Sequence, residues 1–248
     1  MSKNFELMQE LERAQEFQPV RISAAEIPFT SESNQFAEDF HWSGDETLGL
    51  VQRIFLLQTA KPPQVVVFAG IDHGNGCSGI CRGVAETLAK HSSGPVCLLE
   101  ANFRSPALPA MFGTTNHFGL TNALMQEAPI RSFAKRVGSD NLWLISSGSL
   151  AEDSPNLLTS ERLKARLAEL RAEFDFVIID SPPLTRYTDA MALGHLTDGL
   201  VLVLEANSTR REAAQMAAAT LRSSNIAILA AVLNKRTFPI PDSIYKRL

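Results

Sequence analysis

Six short apolar runs follow one another after Pro63: VVVFAG (65–70), VCLLEA (96–101), LWLISSG (142–148), FVIIDSP (176–182), GLVLVLEA (199–206) and ILAAVLN (228–234). They lack the in-out alternation of a half-wet strand, so each reads as a strand covered on both faces, the condition of a parallel sheet. Helical stretches separate them, notably Ser160 to Phe174 and Thr209 to Ser223, and each can supply a right-handed crossover. The expected fold is α/β: a doubly wound, mostly parallel sheet flanked by helices. At 248 residues and 45% hydrophobic content the chain can bury one full core of this kind.

Upstream the texture differs. Residues 1–43 are polar and read as a flexible extension with one short helix, NFELMQELERAQEF, whose Leu7, Met8, Leu11 and Ala14 recur at helical spacing. The α/β domain is assigned to residues 44–248. Its first helix is expected from Asp45 to about Leu57, capped by Ser43 or Asp45, with Leu48, Val51, Ile54 and Phe55 as the apolar stripe.

A formal charge of -4 without a dense basic block argues against nucleic acid or anionic lipid as the main ligand. No apolar run approaches the roughly 20 residues of a membrane span, and the first residues are charged rather than signal-like. The expectation is a cytoplasmic protein without direct membrane insertion. Cys77, Cys81 and Cys97 are expected as reduced thiols.

The segment after the first strand, IDHGNGCSG, sits where α/β proteins place a glycine-rich turn whose N–H groups face a phosphate. A complete phosphate-binding loop reads G-x-x-x-x-G-K-[ST], the lysine meeting the β/γ-phosphates and the hydroxyl holding magnesium. Here Gly76 and Ser78 keep the second glycine and the hydroxyl. Ile71 fills the first glycine position, with Gly70 one residue early, and Cys77 replaces the lysine. A full positive charge is thereby lost, which should impair phosphotransfer while leaving backbone donors and the helix dipole for nucleotide binding. The alternative is that Gly74 and Gly76 only turn the chain. Cys77 can be a dipole-stabilised thiolate, or, with Cys81 one turn on, a small buried side chain; two thiols without a further Cys or His are rarely a zinc site. Asp180, ending FVIID, can hold magnesium or cap the next loop.

From about Val65 to Asn234 the motif order resembles the cytoplasmic domains of bacterial tyrosine kinases of capsular and exopolysaccharide export, within the MinD/ParA-like P-loop group. CLLEANFRSPALPAMFG resembles that family's second acidic motif, with Glu100 and Asn102 at its aspartate positions and Arg104 and Pro106 retained. NHFGLTNAL and LWLISSGSLAEDSPNLLTSERL resemble its Gly-Leu-x-x-x-Leu and Pro-Asn regions, and FDFVIIDSPP its Walker B element. The resemblance implies ATP or ADP with Mg²⁺ as cofactors, metal ligation by Ser78 and Asp180, and catalytic positions at Asp180 and Glu100. It further implies nucleotide contacts from Gly70, Gly74, Asn75, Gly76, Cys77, Ser78, Gly79, Asn102, Arg104 and Asn234.

The departures run one way: lysine is absent at Cys77, the first acidic position is lengthened to Glu100, and the second is a neutral amide at Asn102, a poor general base. The family's tyrosine-rich tail is reduced here to Tyr245. Its Glu-x-x-Arg-x-x-Arg ring-assembly helix keeps Glu46 but has Gly49 and Gln52 at the arginine positions, with Arg53 out of register. Three functions follow. The leading one is a weakly active or non-catalytic regulator that binds the cytoplasmic part of a membrane-anchored polysaccharide co-polymerase, or chain-length protein, with homo-oligomerisation as a further option and a location peripheral to the inner membrane through that partner. The second is an active Mg-ATP-dependent tyrosine autokinase or ATPase that takes its missing charge from Arg82 or from a neighbouring subunit. The third, a ParA-like positioning ATPase, is disfavoured by the acidic balance.

Overall fold

In the computed structural model, residues 44–57, 62–149, 158 and 160–236 are described; the helix expected at 4–17, the Pro-Asn segment and Tyr245 lie outside them. The described chain runs α1 (Gly44–Val51, continued by a π-helical turn Gln52–Leu56), β1 (Val65–Gly70), α2 (Cys77–His91), β2 (Val96–Glu100), α3 (Leu108–Met111), α4 (Leu120–Met125), a 3-10 turn (Ile130–Phe133), β3 (Lys135–Arg136), β4 (Leu142–Ile145), α5 (Glu161–Glu173), β5 (Phe176–Ser181), α6 (Asp189–Gly194), β6 (Gly199–Glu205), α7 (Arg211–Ser223) and β7 (Ile228–Asn234).

All six apolar runs are strands, and with the short β3 they form one seven-stranded sheet in the order β3-β4-β2-β5-β1-β6-β7. Every pairing is parallel except the short antiparallel edge where Lys135 and Arg136 meet Leu144 and Trp143. The fold class is therefore as expected.

Alternation along each buried strand sends its residues to two separate cores. Val65, Val67 and Ala69 of β1 join Val177 and Ile179 of β5 under α4, α5, α6 and α7. Val66 and Phe68 join Leu98, Ile178 and Val232 under α1, α2 and α3. The same parity directs Glu100, Asp180 and Asn234, the last residues or nearly so of β2, β5 and β7, toward the α2 side. This is how the sheet places a site.

On α1 the buried stripe is Leu50, Val51, Ile54 and Phe55, while Leu48 is only half-buried. Leu50–Ile54 and Val51–Phe55 are i, i+4 pairs, so 3.6-residue spacing allows Leu50 as readily as Leu48, and packing decides between them. At the opposite end of the sheet, Asp198 accepts hydrogen bonds from the Gln64 and Val65 amides, both 2.8 Å, and is gripped bidentately by Arg171 at 2.9 Å. Burial opposes the Asp198 charge, but Arg171 and the two amides hold its carboxyl below the usual range. That knot ties the starts of β1 and β6 to the end of α5. Among the described residues no helix is long and apolar enough to cross a membrane.

Candidate functional site

The loop joining β1 to α2 owes its shape to two glycines with left-handed backbone, Gly74 at φ 84° and Gly76 at φ 78°. At Gly76, which caps α2, a Cβ would lie 2.3 Å from Asn234 Nδ2. Only glycine lets the last strand close on the loop, where Asn234 Nδ2 donates to the Asn75 carbonyl at 2.9 Å. Asn75 in turn accepts from the Asp72 amide at 2.6 Å and reaches Glu205 at 3.4 Å. Gly70 and Ile71 pin the loop from below: their carbonyls accept from the Leu184 and Thr185 amides. Ile71 is fully buried, so the residue at the first glycine position is part of the core.

Helix α2 then begins at Cys77, and the N–H groups of Cys77, Ser78 and Gly79 belong to the turn that a helix leaves without intrahelical acceptors. Ser78 donates its hydroxyl to Asp180 Oδ2 at 2.5 Å, and the Cys81 thiol lies 3.8 Å from Asp180 Oδ1. Cys77, half-buried, completes a group in which both thiols and the carboxylate lie within 4.8 Å of one another. Burial raises Asp180 to about 6 against the hydrogen bonds from Ser78 and the two thiols. The Cys77 thiol is lowered by its contact with Cys81, yet burial and the Asp180 charge leave it raised overall. Cys81 is raised well above its usual value by burial and by Cys77. A dipole-activated thiolate is thus not what this helix start makes.

Glu100 pairs in register with Asp180 on the neighbouring strand and is fully buried. One carboxylate oxygen accepts from the Ala107 and Leu108 amides at 2.8 and 3.3 Å, and the other has no partner among the described residues. Burial, followed by the Asp180 charge, raises it to about 8. Its visible role is to anchor the start of α3. Asn102 closes a turn onto the Ser105 amide at 3.2 Å. Arg104 lies over the Tyr187 ring at 3.9 Å and meets Asp189 at 3.4 Å. The structure brings Gly70, Gly74, Asn75, Gly76, Cys77, Ser78, Gly79, Asp180 and Asn234 together around one loop, with Glu100 on the adjoining strand. The polar partners found for Asn102 and Arg104 lie outside that group.

Arg82, expected as a substitute cation, is engaged elsewhere: it pairs with Glu86 at 2.9 Å, donates to the Met111 carbonyl and lies over Phe112. A cation that sequence reasoning missed is Lys235. Its Cε lies 3.9 Å from where a Gly76 Cβ would stand, and its Nζ is 3.6 Å from Glu205. The signal was the basic residue directly after Asn234 in LNK. In chemical terms the site offers a hydroxyl and a carboxylate, hard oxygen ligands suited to Mg²⁺, beside a backbone cradle suited to phosphate. It lacks a lysine where the motif puts one.

No family model matches the chain. It is 30% identical over 161 residues to the tyrosine-protein kinase YwqD of Bacillus subtilis, covering 65% of this chain and 68% of that protein. The kinase domain of the Escherichia coli tyrosine kinase ETK superposes with a TM-score of 0.73 at 19% identity, over 80% of this chain and 78% of that one. The septum site-determining protein MinD of Pyrococcus horikoshii, complexed with Mg-ADP, gives 0.59 at 16% identity, over 74% and 76%. The two structural matches speak for the fold.

Proposed function

Because the chain belongs to the bacterial tyrosine-protein kinase family, on a P-loop fold of the MinD/ParA type, we propose that it is a nucleotide-responsive regulator with little or no phosphotransfer, acting through partner binding. The observation that carries this reading is Cys77. At the position of the phosphate-contacting lysine stands a neutral thiol whose ionisation is suppressed by burial and by Asp180. Positioned positive charge supplies most of the stabilisation of a transferring phosphoryl group, so its loss weighs on turnover more than on binding.

Binding retains other supports. The left-handed turns at Gly74 and Gly76 and the α2 N-terminus can cradle phosphate. Ser78 and Asp180 would hold Mg²⁺, which would neutralise phosphate charge when bound. The partner proposed is the cytoplasmic part of a membrane-anchored polysaccharide co-polymerase, which would keep this cytoplasmic protein at the inner membrane. A pull-down on such a segment should retain the chain, while an assay for ATP hydrolysis and tyrosine phosphorylation should stay at background. Robust turnover with no captured partner would overturn the proposal.

One observation favours a second reading as an active autokinase: Lys235 stands beside Gly76, held by Glu205. Were it to swing to a bound phosphate, it would replace the missing charge. Turnover abolished by Lys235→Met would establish that reading.

A further inference from the structure

Asp180 lies 99 residues beyond Cys81 in sequence yet converges in space with Cys81 and Cys77, and the regulator reading gives the thiols no role as ligands. Cys77 and Cys81 project from successive turns of one face of α2, and β5 brings Asp180 against them. All three ligand atoms, Sγ, Sγ and a carboxylate oxygen, lie within 4.8 Å of one another, and the Cys81 thiol stands 3.8 Å from Asp180 Oδ1. We propose that these three residues form a binding site for a thiophilic divalent cation of the Zn²⁺ class.

The donor set suits the ion. Zinc takes thiolate and carboxylate together, at about 2.3 and 2.0–2.2 Å, in tetrahedral geometry. Tetrahedral ligands at such bond lengths stand roughly 3.4–3.8 Å apart, so from within 4.8 Å the atoms draw together by at most about 1–1.4 Å on binding. Thiolates select zinc over magnesium, which prefers oxygen ligands in octahedral geometry. Three protein ligands leave a fourth position for water or for the Ser78 hydroxyl, which already touches Asp180 at 2.5 Å.

The surroundings suit it as well. Cys81 and Asp180 are fully buried, and Ile80, Val84, Phe68 and Ile178 form the apolar wall on this side of the sheet. Cys77 is half-buried at the loop and provides the way in. The third ligand missing from the Cys-x-x-x-Cys pair in sequence arrives from 99 residues away. Since Asp180 would serve both ions, a cation held by the thiols would compete with Mg²⁺ for it. The site is thereby a device by which a soft metal can withhold the chain from nucleotide.

The test uses the full chain, reduced and stripped with chelator, titrated with Co²⁺ alone and then with Zn²⁺, without nucleotide. One equivalent of Co²⁺ should produce a thiolate-to-cobalt charge-transfer band, bleached by one equivalent of Zn²⁺. Cys77→Ser and Cys81→Ser should each weaken binding by roughly tenfold or more, and Cys97→Ala should leave it intact. If Cys81→Ser proves unfolded by circular dichroism, the half-buried Cys77→Ser decides. No charge-transfer band, or a band unchanged by Cys77→Ser, would overturn the site. Nucleotide binding is not read in this experiment, so its outcome is separate from that of the proposed function.

Discussion

Ser78 on the first turn of α2 donates a 2.5 Å hydrogen bond to Asp180 at the end of β5, across 102 residues of sequence. The contact joins the glycine-rich loop to the strand that would share its metal.

Cys77→Lys should restore the charge that the loop lacks. One new charge-assisted contact to phosphate is worth about 1.5–3 kcal/mol, so ATP affinity should rise by about tenfold or more. Fluorescent-nucleotide titration of both proteins checks this. Unchanged affinity would show that the loop does not meet phosphate.

Gly76→Ala should be costly for two independent reasons: φ 78° disfavours a side chain, and the new Cβ would stand 2.3 Å from Asn234 Nδ2. Strain and the lost Asn234-Asn75 closure together should remove about 2–4 kcal/mol. Chemical denaturation should read this as a lower midpoint with unchanged slope. Gly74→Ala meets no atom within 4 Å, so it should cost only its backbone strain, about 1 kcal/mol.

Glu100 makes stability depend on pH. Its folded pKa is raised from 4.5 to about 8, chiefly by burial. A raised folded value means the native state holds the proton more tightly than the unfolded chain. The contribution is therefore whole below about pH 4.5 and is lost as pH climbs toward 8. Metal-free protein should lose a few kcal/mol, about 2–4, over that window, and Glu100→Gln should flatten the decline. A slope identical in the variant would refute the assignment.

Arg171→Met should cost about 1 kcal/mol, since its pair with Asp198 is about a third exposed. Asp198→Ala should cost more, about 2–3 kcal/mol, because the Gln64 and Val65 amides lose their acceptor too. Thermal unfolding of the two variants ranks them.

The strands were legible because burial on both faces writes itself as unbroken apolar runs, and the crossover helices at 161–173 and 211–223 because long stretches of helix-forming residues separate those runs. The β3 edge was not, since two exposed residues, Lys135 and Arg136, carry no hydrophobic signal. At the site, Gly76, Ser78 and Asp180 could be named from motif spacing. What spacing could not give was contact across the fold. Arg82 looked available in sequence and is taken by Glu86 and Phe112. Lys235 stands at the loop because β7 ends beside Gly76, and Cys77 and Cys81 gain a carboxylate because β5 packs under α2. Strand order decides each of these, and no local window contains it.

On the proposed reading the chain binds nucleotide through the Gly76 loop and Asp180 yet turns it over poorly. Calorimetric titration with ATP and ADP in Mg²⁺, for the natural chain and for Asp180→Ala, tests it most directly. Saturable binding of both nucleotides is expected, lost or weakened by about tenfold or more in the variant, with no continuing heat of hydrolysis. No heat at millimolar nucleotide, or a sustained heat of turnover from the natural chain, would contradict it.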